Sequence, residues 1–224
     1  LDTVCAANIF QLSLLGQSTG SGQSYQWQSS PDGNSWLPIS GAINSTYAAN
    51  QTVTTYYRAL VTCGANSEPS DYVMVTSNLP INCYCTASST TCDEYIGDIE
   101  IAGVTNPSDC TIGGYADYTS IVIPMSISTA YPMNIINGNG SASDQCGVWI
   151  DWNQDGDFDD LDEAMIINGN PSVGPYSTTI TPPATALVGT TRMRVRILWL
   201  GTVSPCGNTS YGEVEDYTVE VLPA

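Results

Sequence analysis

Short runs in which β-branched or aromatic residues alternate with polar ones follow each other along the whole chain. Gly, Asn, Asp and Pro break them before any reaches helical length. A period of two places one set of side chains on a buried face and the other in solvent. Such a chain is predicted to fold as all-β sandwiches, because several short strands separated by turn residues need a second sheet to cover their apolar faces. Candidate strands in the first third are 9–15, 24–29, 55–62 and 71–76. Pro31-Asp32-Gly33-Asn34 is a strong turn signal between two Trp-containing runs. Trp27 stands between glutamines, so its ring is expected to point inward. Ser77-Asn78-Leu79-Pro80-Ile81-Asn82 reads as a linker. Two β-sandwich domains in tandem are therefore expected, 1–78 and 83–224, with no internal repeat joining them.

Charge and cysteine content restrict the function. Among 224 residues there is no lysine and no histidine; four arginines face 22 acids, giving a net charge of −18. A surface of that sign repels nucleic acid and anionic membranes and attracts cations. No apolar run approaches the ~20 residues of a membrane-spanning helix, so no membrane insertion is expected. Only 12% of residues are charged and 42% are hydrophobic, which suits a packed chain rather than a disordered acidic one. Eight cysteines (Cys5, Cys63, Cys83, Cys85, Cys92, Cys110, Cys146 and Cys206) are an even number. With no histidine, and only Cys83-Tyr84-Cys85 as a close pair, zinc is a poor fit. Four disulfides, an oxidising compartment and a secreted or cell-surface location are the expectation. Leu1-Asp2-Thr3 has neither the charged nor the apolar stretch of a secretion signal, which suggests a processed form or a fragment.

The first unit resembles the Ig-like modules repeated in large surface proteins of Bacteroidetes. The resemblance rests on Tyr25-Gln26-Trp27-Gln28-Ser29-Ser30-Pro31-Asp32-Gly33, Trp36, Ile39-Ser40-Gly41-Ala42, Thr55-Tyr56-Tyr57-Arg58 and Cys63-Gly64. The order Cys5, Trp27, Cys63 matches the immunoglobulin arrangement and implies a Cys5–Cys63 bridge. Because Cys5 precedes the first strong strand, that bridge would tie the N-terminal edge to the penultimate strand. The other six cysteines would then pair within the second unit, in any of fifteen ways.

The second unit resembles the GEVED domain. The carrying motifs are Tyr84-Cys85-Thr86, Glu94-Tyr95-Ile96, Gly114-Tyr115-Ala116-Asp117-Tyr118-Thr119, the stretch from Val148 through Phe158, and Tyr211-Gly212-Glu213-Val214-Glu215-Asp216-Tyr217. The resemblance implies a calcium-binding, non-enzymatic accessory or adhesive β-sandwich.

The residues themselves point to calcium. In an EF-hand-type loop, oxygens come from positions 1, 3, 5, 7, 9 and 12, with glycine at 6 for the turn. Asp151, Asn153, Asp155, Gly156, Asp157, Asp159 and Asp162 fall on that register, Asp157 through its carbonyl. Glu163 stands one place beyond, so either of the last two carboxylates could close the shell. Here the loop would follow a strand, Val148-Trp149-Ile150. Glu213, Glu215 and Asp216 have two readings, completion of a calcium site or pairing with arginines. Arg192, Arg194 and Arg196 alternate on one strand face and need acids opposite them, or would otherwise form a site for an anionic sugar or a carboxylate. Trp36 and Tyr176 are the candidate members of a sugar-stacking platform.

Catalysis finds little support. Without histidine there is no Ser-His-Asp triad, and without lysine no Schiff base. Clustered acids engaged by a cation lose the raised pKa that a general acid needs. The leading expectation is a calcium-stabilised structural or adhesive module of a surface protein or extracellular filament, acting through self-association or other surface proteins. The alternative is an accessory module that binds carbohydrate or another substrate for a secreted hydrolase.

Overall fold

In the computed structural model, residues 3–6, 8–16, 22–91 and 93–224 are described. They form two compact units, 1–83 and 84–224. Both are β-sandwiches, and among the described residues no helix is long and apolar enough to cross a membrane.

The first unit contains β1 (Thr3–Val4), β2 (Phe10–Ser13), β3 (Gln23–Ser30), β4 (Leu37–Pro38), β5 (Thr46–Ala49), β6 (Thr55–Cys63), β7 (Asn66–Pro69) and β8 (Val73–Ser77). One sheet has the order β1-β8-β6-β3-β4, with β7 also on β6; β2 and β5 form the facing pair. Phe10, Leu12, Trp27, Tyr57, Ala59 and Val75 fill the space between them. Trp27 points inward as its polar neighbours require, and its indole N–H donates to the Asn44 carbonyl at 3.0 Å. In the turn after β3, Asp32 accepts the backbone N–H groups of Asn34 and Ser35, and Gly33 adopts a positive φ.

The disulfide of this unit corrects the expected Cys5–Cys63 bridge. Cys5 is bonded to Cys83, with Cα atoms 5.7 Å apart, and Cys63 is an exposed free thiol. The cause is strand direction. β1 lies parallel to β8, with Val4 opposite Ser77, so Cys5 meets the chain leaving β8. β6 pairs with β8 through Thr55–Tyr57, and Cys63 is eight residues further along β6 from Thr55. That places it ~20 Å beyond the pairing region, which ends at Tyr57, whereas a disulfide requires Cα atoms within about 7 Å. Cys83 accordingly belongs to the first unit rather than opening the second.

The second unit is built from β9 (Ala87–Thr91), β10 (Ile96–Ile101), β11 (Val104–Thr105), β12 (Tyr115–Ser126), β13 (Tyr131–Asn137), β14 (Asp144–Ile150), β15 (Tyr176–Ile180), β16 (Gly189–Trp199), β17 (Gly207–Tyr211) and β18 (Glu213–Leu222). Two four-stranded sheets, β11-β10-β13-β15 and β12-β18-β16-β14, enclose the main core. Ile99, Ile101, Met133 and Ile135 from one sheet meet Val148, Ile150, Met193, Val195 and Val219 from the other. The outward face of β16 is buried as well, because the parallel pair β9–β17 covers Arg196 and the segments leading into those two strands cover Arg194 through Cys85 and Pro205. This extra layer is pinned by Cys85–Cys206, with Cα atoms 5.6 Å apart.

One more cysteine expectation changes. Cys146 is a free thiol, wholly buried among the apolar residues of the main core, where burial raises its pKa. It acts as a small hydrophobic side chain. Cys110 is disulfide-bonded, and Cys92 lies outside the described residues.

Candidate metal centre

The acidic loop begins where β14 ends. The strand Asp144–Ile150 runs antiparallel to β16, and Asp151 continues it, donating its N–H to the Arg192 carbonyl at 3.2 Å. The chain then loops out and returns antiparallel against the same strand. Ile150 N–H donates to the Glu163 carbonyl and Met165 N–H to the Val148 carbonyl, both at 2.9 Å. The sheet thereby brings Asp151 and Glu163 together at the neck of the loop.

Within the loop, Asp and Asn side chains direct the backbone. Asp151 accepts the N–H groups of Asp155 and Gly156, at 3.2 and 3.0 Å. Asn153, Asp155 and Asp157 each accept the N–H two residues on, the turn geometry these side chains favour. Gly156 has φ +94°, which the tight reversal at this point needs and which side chains oppose. Trp152 and Phe158 are buried and anchor the loop. Phe158 stacks on Tyr84 at 5.0 Å between ring centres, and the Tyr84 hydroxyl donates to Asp151 at 2.7 Å.

The site's electrostatics are unbalanced. Asp151 and Glu163 are 0% and 1% exposed. Burial raises both carboxyls, and Glu163, which also faces the Asp151 charge, is pushed up to about 8. Glu163 accepts N–H groups from Trp152 and Asp160, at 3.2 and 3.3 Å, but no cationic side chain. The Asn153 amide bridges the carboxylates of Asp155 and Asp160, drawing them to one side of the turn. Buried carboxylates without a counter-charge are costly unless protonated or bound to a cation. Every donor here is an oxygen, which suits a hard cation such as calcium.

Asp151, Asn153, Asp155 and Glu163 thus lie around one turn. Asn153, Asp157, Asp159, Asp160 and Asp162 are exposed, and of the two candidates for closing the loop Glu163 is the buried one. Asp160 and Tyr84 were not among the candidate residues. Alternation alone does not reveal Asp160, and Tyr84 arrives from the start of the unit. Among the described residues, no three acidic, cysteine or histidine side chains converge into a ready-made metal shell.

Glu213, Glu215 and Asp216 lie elsewhere and divide their roles. Glu213 accepts the N–H groups of Ile96 and Thr111. Glu215 accepts the hydroxyls of Ser108 and Tyr217. Asp216 takes a two-pronged ion pair from Arg194, at 2.7 and 2.8 Å, a longer one from Arg192 at 3.3 Å, and the Tyr115 hydroxyl. The arginine-pairing reading therefore holds for Asp216 alone. Among the described residues Arg196 meets no acid; its guanidinium binds the carbonyls of Ser88, Ser204, Cys206 and Gly207. Gly212, which opens this motif, has φ +118°, and a β-carbon there would lie 2.1 Å from the Ile197 carbonyl oxygen. Of the proposed platform members, Tyr176 is fully buried in the main core, and Trp36 lies beneath Arg58 at 4.2 Å.

Residues 145–220, spanning the loop and β14 through most of β18, match the GEVED domain family. Residues 2–79 match a domain of unknown function, DUF8696. No curated protein matches the chain. Among solved structures, the chain is 11% identical to Rst D1-D2, over 98% of this chain and 94% of that one, with a TM-score of 0.28. It is 11% identical to Sidekick-1 immunoglobulin domains 1–4, over 99% and 71%, with a TM-score of 0.25. It is 12% identical to the human desmocollin-1 ectodomain, over 91% and 35%, with a TM-score of 0.27.

Proposed function

We propose that the chain is a non-catalytic structural or adhesive module of a secreted or cell-surface protein, and that its second unit is stabilised by calcium at the 151–163 loop. The observation that carries this is the pair Asp151 and Glu163, both fully buried at the neck of an oxygen-rich loop with no cationic side chain against them. Asp151, Asn153, Asp155 and Glu163, with Asp160 beside them, would supply the oxygens. A bound calcium ion neutralises the loop and holds it in one shape. The disulfides support an oxidising, extracellular setting. The kinship of the first unit with Bacteroidetes Ig-like modules belongs to this proposal, as does partnership with further copies or other surface proteins. The match to the GEVED family supports the reading for the second unit.

Calorimetry of the full chain tests it. Calcium at a hundredfold excess over its Kd contributes RT ln(1 + [Ca]/Kd), about 2.7 kcal/mol. The second unit's transition should rise accordingly, the first should hardly move, and Asp155→Ala should blunt the response. An unchanged melting curve on chelation would leave the loop as a hydrogen-bonded acidic turn.

A further inference from the structure

We propose a second divalent-cation site in the same unit, formed by Glu94, Asp144 and the side-chain carbonyl of Asn137. Asp144 opens β14 and Asp151 follows its end, so about 20 Å of extended strand separates the two sites. The new residues come from three places. Glu94 precedes β10, Asn137 ends β13 opposite Ile96, and Asp144 begins β14. Gly138 N–H donates to the Tyr95 carbonyl at 2.8 Å, which fixes the Glu94 segment beside the Asn137 turn.

The polar accounting is incomplete at this point. Asp144 is 0% exposed; its Oδ2 accepts the Asn137 amide at 2.8 Å and the Ser141 N–H at 2.6 Å, while Oδ1 is buried with no donor. Glu94 is 9% exposed and its Oε2 is likewise buried without a donor. The Asn137 Oδ1 is a third such oxygen. Burial is the main cause of the raised Glu94 carboxyl, and the Asp144 charge is the next. Buried acceptors are almost always satisfied, and buried charges are paired or bind a cation. Among the described residues of this unit, no cationic side chain is free to do so. The chain has no lysine or histidine, and the unit's three arginines are engaged with Asp216, with backbone carbonyls or with an aromatic ring. These three unpartnered oxygens, two of them from carboxyl groups on neighbouring segments, suit a hard divalent ion whose remaining positions are filled by water.

Calcium itself is the probe. Isothermal titration of the full chain in an Asp155→Ala background removes the loop site from the count, so this test is independent of the function proposed above. Adding Glu94→Gln and Asp144→Asn is expected to abolish one calcium equivalent. Terbium supplies the second readout. Tyr95, next to Glu94 in the chain, packs against Gly138, next to Asn137, and should sensitise terbium emission in the folded Asp155→Ala chain, and Glu94→Gln alone should quench it. The proposal is overturned if calcium stoichiometry is the same with and without the two substitutions, or if terbium emission is absent or unaffected. It is also overturned if Glu94→Gln raises the melting temperature with no change in calcium binding, which would assign the pair a shared proton.

Discussion

Replacing Asp216 by alanine isolates the strongest electrostatic element of the second unit. The carboxylate is fully buried and accepts two bonds from Arg194, one from Arg192 and one from the Tyr115 hydroxyl. Its removal leaves the Arg194 guanidinium, 2% exposed, without a counter-charge; only the bonds from its Nη1 remain, to Cys85 and the Pro205 carbonyl. Breaking a buried pair by deleting one partner costs about 3–5 kcal/mol, because a charge is stranded out of water. At about 2–4 °C per kcal/mol for domains of this size class, the unit's melting temperature should fall by roughly 10 °C. Differential scanning calorimetry with calcium present separates this from metal loss, and the first unit's transition should stay in place. The paired replacement Asp216→Leu with Arg194→Met should cost less than Asp216→Ala alone, since no charge is then stranded. If Asp216→Ala lowers stability by under about 1 kcal/mol, or the double variant is the worse of the two, the stranded-charge argument fails.

The Cys5–Cys83 bridge closes a loop of 78 residues, so Cys83→Ser should destabilise the first unit by up to about 4.5 kcal/mol in urea unfolding. Cys63→Ser should leave stability within about 0.5 kcal/mol and abolish native-state thiol labelling, with Cys146 reacting only after unfolding. Glu215 sets a pH dependence of unusual sign. Burial, opposed by the Tyr217 and Ser108 hydroxyls and reinforced by Glu213 and Asp98, pushes its carboxyl from 4.5 up to about 7. The folded state then holds a proton the unfolded state has released, so stability falls as pH rises from about 4.5 to 7, by at most about 3 kcal/mol. Glu215→Gln should flatten that part of the melting temperature profile.

What the sequence reveals and what it hides follow from how local each contact is. The faces of β16 and β18 can be read from alternation alone, because side-chain direction is a property of the strand. Arg194 opposite Asp216 follows from the same alternation once the two strands pair in register. Arg196 defeats the expectation of an acidic ladder because its partners are carbonyls of β9, β17 and the loop before β17, a layer assembled from residues 87–91 and 204–209. The Cys5 pairing is hidden for a similar reason. The parallel contact of β1 with β8 spans more than seventy residues and leaves no local trace, so the familiar order Cys, Trp, Cys suggests the wrong partner. At the acidic loop, the spacing reads the turn correctly around Gly156 but leaves Asp162 and Glu163 equivalent. They differ only in where the returning chain docks on β14. Pairing of Trp149 with Ala164 turns Glu163 toward Asp151 and leaves its neighbour in solvent, so which of the two carboxylates is buried is decided by the sheet and not by the loop.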